Sequence, residues 1–351
     1  MPNIWIFPLE RLDSRYTDQW YENIPKMLVA KAGDKFNIRQ IDGVQRESST
    51  TSGAFLNFSD TNYWKSSQLC NFIDVFNRGE TTPKDKFLFT DVWNPTILQV
   101  KYINDLLGFD WELHSIAHAG AYDPTDILGL KMQKPWPWHA ERAFFHACDY
   151  TYFATYFHRE MFLNNLNIPD EFSHKAVRSG QPHDLIVPVV EQYLGAAKAP
   201  SIVWPHRYND DKQPDIAEAI SMHFPVVFTQ KKNLSKPEYY RTLSQNQILF
   251  SCSLHENLGI SVMEAVLMNT IPLLPDRCSY AEMYDPVFLY PSEYTESFEM
   301  FEKHRIDLYK KIEHMLTHPE FYAEHLKRQQ QRLKDEYLTA DIMINYLVEG
   351  A

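Results

Sequence analysis

Short unbroken apolar runs alternate with longer amphipathic stretches along most of the chain. Residues 3–7, Asn-Ile-Trp-Ile-Phe, form a β-rich run ended by Pro8, the form of a first buried strand followed by a loop at its carboxyl end. Further strand-like runs fall at 36–41, 54–58, 86–89, 112–116 and 150–154, with helical periodicity at 18–29, 62–76 and 95–107 between them. Strand, helix, strand predicts a mostly parallel sheet covered on both faces. A second, smaller series starts near residue 200, with strands at 201–204, 225–229, 248–251 and 270–274 and helices at 214–222, 236–243 and 259–268. The small-residue segment 195–200 between the two series reads as an interdomain linker. The tail from 297 to 348 is helical with charged faces.

Length agrees with two domains, since 351 residues at roughly 150 per domain gives about two. A hydrophobic content of 44% supplies two cores and excludes a disordered or collagen-like chain. The balance of 34 Lys+Arg against 46 Asp+Glu gives a net charge of −12, so a polyanion could be held only by a local basic patch. Cys70, Cys148, Cys252 and Cys278 are scattered, with no Cys-x-x-Cys pair, which points to buried thiols in a reducing compartment and away from structural zinc. The first residues lack a basic region followed by a long apolar one, and no run of about 18 apolar residues occurs. The expectation is a soluble, cytoplasmic protein without a membrane partner.

The loop after the first strand has no Gly-x-Gly turn, so a dinucleotide fingerprint is not supported. The stretch from Ser253 to Val266, Ser-Leu-His-Glu-Asn-Leu-Gly-Ile-Ser-Val-Met-Glu-Ala-Val, follows a strand and opens a helix. Asn257, Leu258 and Gly259 would present backbone N–H groups at the helix N-terminus, where the dipole favours an anion, and Gly259 allows close backbone approach. Glu256 on the loop and Glu264 on the helix flank that turn, an arrangement suited to a diphosphate with hydroxyls on either side, as in a nucleotide sugar. A plain helix start with an acidic first turn fits the same residues. The loop after the strand at 201–204 carries Arg207 and Lys212, two cations able to clamp a leaving diphosphate. They could equally pair with Asp210 and Asp211 on a solvated loop.

Together these segments resemble the donor-binding domain of retaining glycosyltransferases of the GT-B fold, the large family with an Arg…Lys pair and a Glu-x7-Glu motif. Ile202-Val-Trp-Pro-His-Arg-Tyr-Asn-Asp-Asp-Lys212, His255-Glu-Asn-Leu-Gly259 and Tyr280-Ala-Glu-Met-Tyr284 are similar to glycosyltransferases that mannosylate queuosine in tRNA. The resemblance covers residues 200–292. It implies an α/β GT-B architecture, two Rossmann-like domains facing a cleft with a helical C-terminal tail. Residues 1–195 would form the acceptor-side domain, 200–330 the nucleotide-sugar domain, and 331–351 a helix returning to the first. Arg207 and Lys212 would neutralise the diphosphate, Glu256 would hold the sugar hydroxyls, Glu264 the ribose, and Asn257, Leu258 and Gly259 would offer main-chain donors. The family also places a His from an N-domain loop beside the sugar. His118 is the candidate and His114 the reserve, against an ordinary structural histidine.

The implied reaction is a metal-independent retaining transfer from a UDP- or GDP-sugar co-substrate, with no permanent cofactor. No Asp-x-Asp occurs, so a metal-bridged diphosphate is not indicated. The first loop carries Glu10, Arg11, Arg15 and Tyr16 in a phrasing similar to phage proteins that glycosylate modified DNA bases. Lys131 and Lys134 are interleaved with Trp136 and Trp138, a pattern suited to an unstacked base and its phosphates, or to a Pro-Trp loop packed on the core. Lys231, Lys232 and Lys236 form a short basic turn. The expected acceptor is a hydroxyl on a modified nucleobase, phage DNA hydroxymethylpyrimidine (in the host cytoplasm) ahead of tRNA queuosine. Small-molecule or cell-envelope glycan transfer and a catalytically silent sugar-nucleotide-binding module are the alternatives.

Overall fold

A computed structural model describes residues 1–12, 16–46, 57–232 and 234–350, with Tyr16 described for its backbone alone. The chain divides into two compact units, Met1–Ala154 with His158–His183 and Thr339–Ala351, and Thr155–Phe157 with Asp184–Leu338.

The first unit is built on six parallel strands. β1 (Asn3–Phe7) is buried along its whole length and is followed by α1 (Tyr16–Ala32) and β2 (Asn37–Gln40). Next come α2 (Phe58–Asn77), β3 (Lys86–Phe89), α3 (Thr96–Leu107) and β4 (Glu112–Ile116). The chain continues through α4 (Ile127–Lys131), α5 (Pro135–Ala147), β5 (Tyr150–Phe153), α6 (Tyr156–Asn165) and β6 (Ala176–Arg178). Strand order is β2-β1-β3-β4-β5-β6. The chain therefore reverses direction across the sheet between β1 and β3, and loops at that point open a crevice at the carboxyl ends of the strands.

Alternation along β1 explains why the run is apolar throughout. Trp5 and Phe7 join a core with Phe72, Phe87, Phe89 and Trp111, whereas Ile4 and Ile6 join a second with Trp20, Leu28, Ile344 and Leu347. Each face needs its own apolar set, so no polar position remains. At the amino end of the sheet Asp85 is fully buried and accepts from Asn3 N at 2.8 Å, Trp5 Nε1 at 2.7 Å, and Thr82 N and Oγ1 at 3.0 and 2.6 Å.

The second unit starts with α7 (Ile186–Glu191), β7 (Ala199–Trp204), α8 (Pro214–Ser221), β8 (Val226–Phe228) and α9 (Lys236–Gln245). It continues with β9 (Asn246–Phe250), α10 (Ile260–Leu267), β10 (Ile271–Pro275), α11 (Cys278–Met283) and β11 (Leu289–Tyr290). Two long helices close it, α12 (Phe298–Thr317) and α13 (Pro319–Arg332). The parallel order β11-β10-β9-β7-β8 reverses between β7 and β9.

The division lies at His183–Asp184, upstream of the segment expected as the linker. Ile186 and Val190 are buried, α7 packs on α10, and Ala199 and Pro200 already belong to β7. The expected tail helix is also interrupted. α13 passes into a π turn at Leu333–Tyr337, and α14 (Asp341–Glu349) begins only after Ala340 and packs on α1. The strand expected at 54–58 is not formed where it can be seen. Ala54 to Leu56 lie outside the described residues, and Phe58 opens α2, which Asn57 caps by accepting from Asp60 N at 3.3 Å. No helix among the described residues is long and apolar enough to cross a membrane.

Asp85→Ala would strand the indole and amide donors of Trp5 and Asn3 in the core. The expected cost is about 3 kcal/mol, read as a lower urea midpoint at unchanged m-value, with Asp85→Asn falling between wild type and alanine.

Candidate active site

The reversal point of the second sheet brings together the two loops singled out in the sequence. β7 ends at Trp204 and is followed by the loop carrying His206, Arg207 and Lys212, while β9 ends at Phe250 and is followed by the loop carrying Glu256. Main chain joins them, Leu254 N donating to Asp211 O at 2.8 Å. Gln213, at φ +50, braces the turn by donating to Cys252 O at 2.6 Å and Thr295 O at 2.7 Å.

Lys212 is the hub. Its buried ammonium donates to His255 O at 2.6 Å and stands 3.2 Å from Asp211 Oδ2 and 3.4 Å from Glu256 Oε2. Burial draws Lys212 downward, but Glu256 and Asp211 outweigh it and hold the ammonium above its ordinary pKa. Burial likewise opposes the Glu256 charge, yet Lys212 keeps that carboxyl below the usual carboxylate range. Each charge therefore favours the other. The pairing of Lys212 with Asp211, expected as a surface alternative, coexists with the pairing to Glu256.

Glu256 Oε1 also accepts from Gly259 N at 3.0 Å. This corrects the expectation of a free amide at Gly259, because the carboxylate three residues upstream caps it. Gly259 sits at φ +74, and a Cβ there would stand 2.9 Å from Tyr280 Cε1, so the turn requires glycine. Leu258 is buried, and the carbonyl of Asn257 accepts from Thr155 Oγ1 at 3.2 Å.

Arg207 is exposed, and its side chain makes no hydrogen bond or ion pair among the described residues. Glu264 is buried and lies apart from the Lys212 cluster in its polar contacts, with Oε1 accepting from Lys236 Nζ at 3.1 Å and Tyr240 OH at 3.2 Å. Lys236 is thus a partner of the site, not part of a solvated basic turn, and Lys231 pairs with Glu218 at 3.0 Å.

Sequence reasoning passed over three residues here. His206 is buried against Trp204 with its Nε2 unpartnered, and burial reinforced by Lys212 pushes its imidazole down to about 3, which leaves it neutral. Tyr280 covers Gly259. Tyr284 is buried, with its hydroxyl unpartnered and its pKa raised by burial and by Glu256. All three stand inside the quoted motifs, so their neighbourhood was visible although their roles were not.

In the first unit, His118 lies at the carboxyl end of β4, half-buried, with Nε2 2.7 Å from Thr90 O and its ring 5.1 Å from that of Trp20. Asp91 beside it pairs with the buried Lys65 at 2.6 Å. Burial lowers the pKa of His118 in spite of Asp91. His114 does not qualify as the reserve. It is fully buried within β4, between Tyr152 OH at 2.7 Å and Glu112 Oε1 at 2.6 Å, so it serves the sheet interior. Glu10 is buried after β1, with Oε1 accepting from Thr61 Oγ1 at 2.5 Å and Oε2 unpartnered. Arg15 and the side chain of Tyr16 lie outside the described residues. Lys134 and Trp136 are exposed, but on the start of α5 and not on a loop, with Pro135 at the first helical position. Among the described residues no three His, Cys, Asp or Glu side chains gather where they could hold a metal ion.

Two Rossmann-like parallel-sheet domains followed by a helical end define the GT-B fold of glycosyltransferases, and comparison with known structures agrees. Lipopolysaccharide outer core galactosyltransferase WaaB matches over 100% of both chains with a TM-score of 0.62 at 11% identity. Sucrose-phosphate synthase from Thermosynechococcus elongatus matches over 99% of this chain and 98% of its own with a TM-score of 0.61 at 11% identity. In sequence, a tRNA-queuosine alpha-mannosyltransferase from Drosophila melanogaster is 26% identical over 119 residues, 25% of this chain and 32% of that protein. The similarity thus spans about a third of that relative's length. No protein-family model matches the chain.

Lys212→Met tests the mutual support of the buried charges. With its cation gone, burial should lift the Glu256 carboxyl from below to above its ordinary value of about 4.3, read by carboxyl 13C NMR titration. In wild type the sign is opposite: the lowered folded-state pKa gives stability that is present above the unfolded value and lost as pH falls through the folded one.

Proposed function

We propose that this protein is a retaining glycosyltransferase that moves a sugar from a UDP- or GDP-sugar to a hydroxyl on a modified nucleobase. The observation that carries the reading is the partly buried Lys212–Glu256 pair at the reversal point of the second sheet, beside a glycine turn that opens a helix. Open α/β sheets bind ligands at that place, and the GT-B neighbours include enzymes of sugar transfer.

In this reading the bond between the anomeric carbon and the diphosphate oxygen breaks, and its electron pair leaves with the phosphate. The acceptor oxygen bonds the same face of the sugar, and its proton passes to the departing phosphate oxygen. Lys212 is already balanced by Glu256 and Asp211, so Arg207, the exposed cation without an ion pair, supplies the added positive charge for the diphosphate. Glu256 would orient sugar hydroxyls with its fixed carboxylate, and Glu264 the ribose. His118 would stand on the acceptor side, with Glu10. Catalysis would consist of positioning and charge compensation.

The DNA hydroxymethylpyrimidine acceptor rests on the phrasing of the first loop. The Drosophila relative favours a second reading, queuosine in tRNA. Incubation with UDP- and GDP-sugars and either hydroxymethylated DNA or tRNA, followed by nucleoside mass spectrometry, distinguishes them by which nucleoside gains a hexose or pentose mass. Glu256→Ala and Lys212→Ala are each expected to lower turnover at least about 100-fold, the scale of losing one charge-stabilising group. Unchanged rates in both variants would refute the assignment.

A further inference from the structure

Tryptophan is seldom left in solvent, yet Trp136 is 57% and Trp138 42% exposed at the start of α5. Neither indole is loosely placed. Trp138 Nε1 donates to Ala121 O at 2.9 Å, and Trp136 meets the half-buried Trp93 edge-to-face at 6.4 Å. Trp93 is fixed in turn, with Nε1 donating to Glu141 Oε1 at 2.9 Å and its carbonyl accepting from Lys65 Nζ at 2.6 Å. Three indoles are therefore oriented from beneath, and two present surface to water.

The charges around them are arranged in the same sense. Lys131 and Lys134 are exposed, and their ammonium groups make no ion pair or hydrogen bond among the described residues, in a chain whose net charge is −12. The nearby carboxylates of Asp123, Asp126 and Glu141 are turned inward, each no more than 7% exposed. The outer face of this corner is thus aromatic and cationic. Trp93 also links it to the carboxyl end of β3, where Asp91 stands, with His118 near it after β4.

We infer that Trp136 and Trp138, with Lys131 and Lys134, form a stacking platform for a single-stranded segment of the nucleic acid that carries the acceptor base. Indole faces accept any base by stacking, and ammonium groups beside them match the phosphates between bases. A membrane surface fits less well, because interfacial tryptophans keep a polar edge among the headgroups, whereas the Trp138 N–H is turned inward to Ala121. The inference rests on the nucleobase reading of the acceptor and adds to it the surface that holds the strand.

The test is fluorescence anisotropy with a labelled 12-nucleotide single strand of mixed sequence, at several salt concentrations. Wild type should bind, and its tryptophan emission should be quenched on binding. Trp136→Ala and Trp138→Ala should each weaken binding about tenfold. Lys131→Ser with Lys134→Ser should reduce the slope of log K against log salt by about 1.4, two contacts at 0.7 each. Melting temperatures of all variants report whether the fold is retained, and the lysine pair tests the surface even where an indole variant is unstable. Equal affinity in the indole and lysine variants overturns the inference. So does absence of oligonucleotide binding, including the case where wild type binds phosphatidylglycerol vesicles instead. Nucleotide-sugar hydrolysis by wild type separates the two claims: hydrolysis without strand binding removes the platform alone, and loss of hydrolysis bears on the transferase reading alone.

Discussion

The candidate site of the second unit is organised by one partly buried ion pair. Lys212 and Glu256 belong to loops on adjacent strands, 44 residues apart, and each favours the charge of the other against burial, with Asp211 as a second partner of Lys212. Their attraction ties the two loops together, with a main-chain bond from Leu254 N to Asp211 O and a bond from Lys212 Nζ to His255 O. A buried pair of this kind adds little net stability over apolar packing, but removing one member leaves an uncompensated charge. What it provides is a fixed carboxylate beside a glycine turn, at the edge where the sheet reverses direction.

The same device recurs in the first unit, where Lys65 and Asp91 pair at 2.6 Å at the carboxyl end of β3 and His118 lies close by. Burial opposes the Asp91 charge, and Lys65 restores it. Both sheets thus place a screened cation–carboxylate couple at the end where ligands bind in this class of fold. Buried charges at these ends keep the loops polar without leaving them loose.

Much of the scaffold was legible in the sequence because its strands are short, apolar and doubly covered. The runs ending at Phe7, Phe89 and Ile116 match their strands residue for residue. Of the run at 54–58 only Asn57 and Phe58 are described, and there helix capping prevails, Asn57 closing the start of a helix whose first residue is the exposed Phe58. In the site, residue types and loops were legible, whereas partnerships were not. That Gly259 N would be taken by Glu256, or that Lys236 and Tyr240 would hold Glu264, depends on contacts that local spacing does not encode. His114 and His118 are four residues apart and chemically identical in sequence. Only burial within the strand, against placement after it, separates them.

The packing of α14 on α1 has a consequence for how the chain is made. Ile344 and Leu347 join the cluster that Trp20, Ile24 and Leu28 of α1 form over Ile4 and Ile6, so this core is complete only when segments from either side of the second unit in sequence have met. The second unit is nearly contiguous in sequence and can complete itself beforehand. Folding of the first unit therefore departs from the usual amino-terminus-first order, because its core closes only when the nine-residue α14 docks.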